Sequence, residues 1–133
     1  MIKGIHHINL LVRDLDDAVA RYRAQLGLPE PEYERLPGRG VETARFRIGE
    51  SYLVLVMPTA EGEPARVLAE QGEGLFLLSL TTDDIEESMK QVVSGGGALT
   101  SEAPRAGVSD WRIIDLEPEK IAGGRIQLAN SRA

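Results

Sequence analysis

The chain has no cysteine and only two histidines. Without cysteine it forms no disulfide, holds no thiolate-bound metal and carries no cysteine nucleophile. Positive charge is also short. Lysine and arginine number 15 against 21 acidic residues, a formal net charge of −6. That balance excludes the basic surface on which non-specific nucleic-acid binding depends. It still admits an anionic small ligand, because a local group of arginines can outweigh the net charge. No apolar run is long enough to cross a bilayer. The opening MIKGIHHINL lacks the apolar core and cleavage site of a signal peptide. The expected location is the cytoplasm, with no membrane or nucleic-acid partner.

What is present is an ordinary globular composition, 42% hydrophobic and 27% charged over 133 residues. That suffices for one compact unit with a true core. Residues 5–12, IHHINLLV, suit a strand. Asp14 is placed to cap a helix, with Asp16 and Asp17 in its first turn. Leu15, Ala18, Val19, Tyr22 and Leu26 then recur at helical spacing. Gly27 ends that helix and Pro29 prevents its return. EYERL, VETARFRI and SYLVLVM follow as three extended segments, broken by PGRG and GE. Arg35, Arg39, Arg45 and Arg47 read as a solvated strand pair rather than an anion site. PTAEGEPARVLAEQGEG reads as a connector with one short helix, Pro64 in its first turn.

Seventy positions after the opening pattern, LFLLSLTTDDIEESM repeats it. Ile5 falls on Leu75, Asp14 on Asp84, Leu15 on Ile85, Val19 on Met89 and Gly27 on Gly97. Strand, cap, acidic first turn, helix core and terminating glycine keep one register, which marks an internal repeat. ALTSEAP, SDWRIIDL and RIQLAN supply three more extended segments. The expected fold class is α+β. Two βαβββ modules occupy residues 1–58 and 75–133, joined by a connector at 59–74, in a single domain of residues 1–133.

Side chains alternate along a strand. Ile8, Leu10 and Val12 turn toward the helix, and Ile5, His7, Asn9 and Leu11 turn away. Leu75, Leu77, Ser79 and Thr81 turn away in the second module. Leu53, Leu55 and Met57 suit the core, leaving Tyr52, Val54 and Val56 opposite. Ile126 and Leu128 suit the core, leaving Arg125, Gln127 and Ala129 opposite. The face away from the helices is where a ligand would sit.

The segments HINLLVRDLDDAVARYRAQLGL, VLAEQGEGL, DDIEESM and EPEKIAGGRIQL, in this order and spacing, resemble the vicinal oxygen chelate superfamily. That superfamily includes glyoxalase I, extradiol dioxygenases, bleomycin-resistance proteins and methylmalonyl-CoA epimerase. The resemblance covers nearly the whole chain and looks closest to the epimerase branch. It implies that the two modules pair into a cup-shaped mixed sheet around a ligand, and that the protein is a homodimer. In metal-using members, one ligand comes from the first and one from the last strand of each module. A typical set is His, Gln or Glu, His and Glu. Carried over, those positions fall on His7, Val54, Leu77 and Gln127. The epimerases' acid/base glutamate on the third strand falls near Thr43, with Glu42 adjacent and on the opposite face.

The repeat agrees with this depletion, because His7 falls on Leu77 seventy positions on. Val54 and Leu77 offer no lone pair, and Gln127 offers a neutral oxygen. A catalytic divalent site takes about three protein ligands, so neither metal nor cofactor is expected. His6 reads as a packing histidine on the helix side of its strand or at its edge. His7 reads either as a former ligand hydrogen-bonded in the cup or as a polar contact and acid/base group, and it is the candidate catalytic residue. The candidate ligand-binding set is His7, Asn9, Tyr52, Val54, Leu77, Ser79, Trp111 and Gln127. It combines an apolar body with a few polar contacts. Trp111 either caps the cavity or packs in the core.

Three functions fit these residues. The first is a metal-independent protein binding a small organic molecule, a thioester or other carbonyl compound, as a sequestering protein or as an isomerase or lyase. The second is a metal-dependent methylmalonyl-CoA epimerase or glyoxalase-like enzyme. The third is a non-catalytic interaction module. Exposed sheet edges favour a homodimer in each case.

Overall fold

The computed structural model describes residues 1–131. Its elements run β1 (Ile2–Leu11), α1 (Leu15–Leu26), β2 (Glu32–Leu36), β3 (Val41–Ile48), β4 (Ser51–Pro58) and α2 (Glu63–Gln71). They continue with β5 (Gly74–Thr82), α3 (Ile85–Ser94), β6 (Arg105–Ala106), β7 (Trp111–Asp115) and β8 (Ile126–Ser131). The fold is α+β, and the order βαβββ occurs twice, with α2 between the two runs. By contact, the chain divides into one unit of residues 8–76 and another of residues 1–7 with those from 77 onward. Among the described residues, no helix is long and apolar enough to cross a membrane.

In the unit of residues 8–76, β2, β3 and β4 form an antiparallel meander. Helix α1 packs on it through Leu15, Ala18 and Val19, against Ala44, Phe46 and Leu55. Leu10, Leu53 and Met57 close the margin of this core, as period-two alternation on β1 and β4 requires. Full burial of a side chain such as Phe46 or Leu55 contributes about 1.5–3 kcal/mol relative to exposure.

In the other unit, β8 runs parallel to β5 and antiparallel to β7, and β7 pairs with β6. Helix α3 covers one face, where Ile85 meets Ile114, Leu116 and Leu128. Ile114 and Leu128 therefore point to the helix. Trp111, Ile113 and Asp115 on β7, and Gln127 and Ala129 on β8, point the other way.

Both long helices start in the same fashion. Asp14 accepts from the Asp17 amide at 3.0 Å, and Asp84 accepts from the Glu87 amide at 3.1 Å. Each satisfies an amide that the first helical turn leaves without a partner. Asp14→Ala and Asp84→Ala should therefore each lower unfolding free energy by about 1 kcal/mol in urea titrations. The α1 terminus is also as expected, with Gly27 left-handed at φ 67° and its amide on the Arg23 carbonyl.

Two expectations are corrected. Helix α3 stops at Ser94, before Gly97. Three successive glycines lose too much backbone freedom to extend it. Gly97 still belongs to the cap, since its amide reaches the Val92 carbonyl at 2.9 Å. The segment ALTSEAP is mostly irregular, with a single bridge from Leu99 to Leu116. The strand beside β7 is instead the two-residue β6. Ser101 turns its hydroxyl onto the Ala103 carbonyl, and Pro104 has no amide to donate, so the segment favours local bonds over a ladder.

Candidate functional site

The His6–His7 pair lies near the middle of β1. The two Nδ1 atoms are 2.8 Å apart, so one ring donates and the other accepts. The His7 ring stacks on the Trp111 indole, with centroids 4.6 Å apart, and His6 meets the same indole edge-on at 4.5 Å. His7 is only 3% exposed and Trp111 5%. Burial first, and the neighbouring His6 second, push the His7 imidazole down to about 3. Burial lowers His6 as well, with Asp110 opposing. Both rings are thus neutral at physiological pH. His7 titrates far below working pH, and a base that weak is poorly matched to proton abstraction at neutrality. His6 is buried, bonded to His7 and packed edge-on against the Trp111 indole.

A polar cluster sits across β5, β8 and β7 on the face away from α3. Ser79 lies opposite Gln127, and Gln127 lies opposite Asp115. Gln127 Nε2 donates to Asp115 Oδ1 at 2.9 Å, and Arg105 donates to Asp115 Oδ2 at 2.7 Å. Gln127 Oε1 and Ser79 Oγ are buried with no hydrogen-bond partner among the described residues. Such orphaned groups are rare and call for a ligand, water or ion. Leu77, two residues before Ser79 on the same face, is buried hydrocarbon.

Asn9, Tyr52 and Val54 belong to the other unit. Asn9 Oδ1 is buried without a partner among the described residues, so the two residues seventy positions apart, Asn9 and Ser79, share this property. The Tyr52 hydroxyl accepts from Arg47 at 3.2 Å, and the guanidinium lies over its ring. Val54 is buried beside Arg45. Arg45 departs from the solvated reading. Its side chain is 10% exposed and bonds Glu34 at 3.0 Å and Glu32 at 2.7 Å. Thr43 is buried and donates to the Glu34 carbonyl. Glu42 pairs with Arg35 and lies opposite Met57 on the α1 side, so it does not share the face of Thr43.

Of the four positions matched to metal ligands, His7 and Gln127 bring donor atoms, while Val54 and Leu77 bring only buried hydrocarbon. Among the described residues, no group of three or more His, Cys, Asp or Glu side chains is placed to hold a metal. This donor set does not fit a divalent ion.

The model for the glyoxalase/bleomycin resistance protein/dioxygenase superfamily matches residues 6–114. The chain belongs to that superfamily. A Cereibacter sphaeroides relative, ethylmalonyl-CoA/methylmalonyl-CoA epimerase, is 26% identical over 96% of this chain and 98% of its own length. A glutamate-to-glutamine variant of Streptomyces coelicolor methylmalonyl-CoA epimerase, solved with 2-nitronate-propionyl-CoA, is 31% identical, covers 100% of both chains and superposes with a TM-score of 0.94. A methylmalonyl-CoA epimerase solved with methylmalonyl-CoA and NH4+ has the same identity and score, covering 100% of this chain and 97% of its own. This superfamily member is therefore related to the methylmalonyl-CoA epimerases along nearly all of its length.

Sequence reasoning missed Asp115, Arg105, Arg45 and Glu34. Alternation on β3 gave a signal, because Ala44 and Phe46 facing α1 turn Thr43 and Arg45 away. The repeat gave another, since Arg45 falls on Asp115 seventy positions on. Each module thus has an ion pair at the same strand position, with the charges exchanged.

Proposed function

We propose that this superfamily member binds the acyl portion of a small organic thioester without a metal, as a ligand-holding protein rather than an epimerase. The observation that carries the reading is the pair of buried, unpartnered oxygens, Gln127 Oε1 and Ser79 Oγ, beside the hydrocarbon of Leu77. An apolar wall with a few fixed polar groups is the usual lining of a small-molecule site. His7 and Trp111, of the same unit, complete the proposed set there, and Asn9, Tyr52 and Val54 are proposed ligand contacts of the other unit. Relatives whose structures hold acyl-CoA ligands support the thioester class. Two features favour holding over turnover. The resemblance puts the epimerases' acid/base carboxylate near Thr43, which carries no carboxylate, and His7 is too weak a base to replace it.

Isothermal titration with methylmalonyl-CoA tests this. Binding in the range of about 1–100 μM is expected, unchanged by EDTA. Proton NMR in heavy water should show no exchange at the α-carbon of the bound thioester. Binding only with added metal, or rapid α-proton exchange, would replace this reading with the metal-dependent epimerase. That second reading has the full-length similarity to epimerases in its favour.

A further inference from the structure

A carboxamide is nearly symmetric in shape and opposite in polarity at its two ends. Which end Gln127 presents to the buried face is decided by its neighbours. Asp115 is in an ion pair with Arg105, and an ionised carboxylate only accepts hydrogen bonds. Gln127 must therefore turn its NH2 group to Asp115 Oδ1, as observed at 2.9 Å. The same choice leaves Oε1 as the free end, buried and unpartnered, next in register to the unpartnered Ser79 hydroxyl. Gln127 is 2% exposed and Ser79 is fully buried, so bulk water does not satisfy them.

We propose that Asp115, held by Arg105, is a positioning residue that fixes the hydrogen-bonding polarity of this site. It makes Gln127 an acceptor, so the ligand group that docks between Gln127 and Ser79 brings a hydrogen, as an O–H or N–H. A group with lone pairs alone faces Gln127 Oε1 across an unmade bond, and buried sites discriminate strongly on that basis. The inference rests on the thioester reading only for the choice of probes.

The test is Asp115→Asn, which keeps shape and inverts polarity. Arg105 only donates, so it retains the carbonyl end of the introduced carboxamide and leaves its NH2 end facing Gln127. Gln127 then turns its oxygen to that NH2 and offers its own NH2 to the site. Hydroxybutyryl-CoA and acetoacetyl-CoA, alike in skeleton and in charge, differ in whether the acyl chain carries a hydroxyl or a ketone. The parent should prefer the hydroxyl form. The ratio of the two affinities should shift toward the ketone by about tenfold or more in Asp115→Asn, a double difference that a general loss of packing does not produce. Gln127→Leu should lose the preference, and it stands in if Asp115→Asn fails to fold.

Side-chain amide NMR reads the orientation without any ligand. In the parent, the Gln127 NH2 protons should show contacts to Asp115 and not to Ser79; in Asp115→Asn they should show contacts to Ser79. An unchanged affinity ratio, or Gln127 NH2 contacts to Ser79 in the parent, overturns the proposal. If neither thioester binds, the thioester reading fails, and the NMR contacts alone decide the role of Asp115.

Discussion

Trp111→Ala should lower the unfolding free energy by about 3–5 kcal/mol. The indole is buried and contacts both histidines of β1 at centroid distances of 4.5–4.6 Å. Its removal leaves a cavity bordered by two neutral imidazoles, which then lose both packing and the dry surroundings that keep them uncharged. Trp111→Phe retains a stacking face and should fall roughly midway between parent and alanine variant. Urea titration followed by circular dichroism measures this, because Trp111 is the only tryptophan and its variants lose the fluorescence signal. A loss below about 1 kcal/mol would mean that the indole is not packed in solution.

Acid should destabilise the protein through His7 before its carboxylates dominate. The folded imidazole is held at about 3 against an ordinary 6.5. Below the ordinary value the unfolded chain takes up a proton that the folded chain refuses. Stability therefore falls as pH drops through 6.5 and goes on falling until the folded value near 3 is reached. Between neutrality and pH 4 the His7 contribution is on the order of 3 kcal/mol. His6 shifts in the same direction and adds to it. In His7→Gln the side chain cannot protonate, and the slope of stability against pH should flatten over this range. The difference between parent and variant isolates the effect, because the carboxylates are common to both. Parallel pH profiles for the two proteins would show that His7 is solvated and titrates normally.

Local structure was legible where local chemistry decides it. β2 and β3 coincide with EYERL and VETARFRI, because Gly and Pro punctuate both ends. The helix starts follow from Asp14 and Asp84, and the core faces of β4 and β8 follow from alternation. What was hidden depends on register between distant strands. Nothing near Asp115 in sequence reveals that it touches Arg105 ten residues before it and Gln127 twelve residues after it. Those contacts exist only once β6, β7 and β8 are aligned. The burial of Arg45 was hidden for the same reason, since its partners Glu32 and Glu34 lie across the β2–β3 ladder. His7 stood out from the sequence because the repeat sets it against Leu77, and Gln127 because the family resemblance puts a ligand position there. The orientation of the Gln127 carboxamide did not, because it is set by a neighbouring strand.

Zinc titration of the purified parent protein tests most directly whether buried hydrocarbon at Val54 and Leu77 has left this chain without an adequate ion site. Elemental analysis of protein prepared without chelator, followed by calorimetric addition of zinc, should find well under one ion per chain and no saturable binding tighter than about 100 μM. One ion per chain, held with nanomolar affinity and lost on His7→Gln, would contradict it.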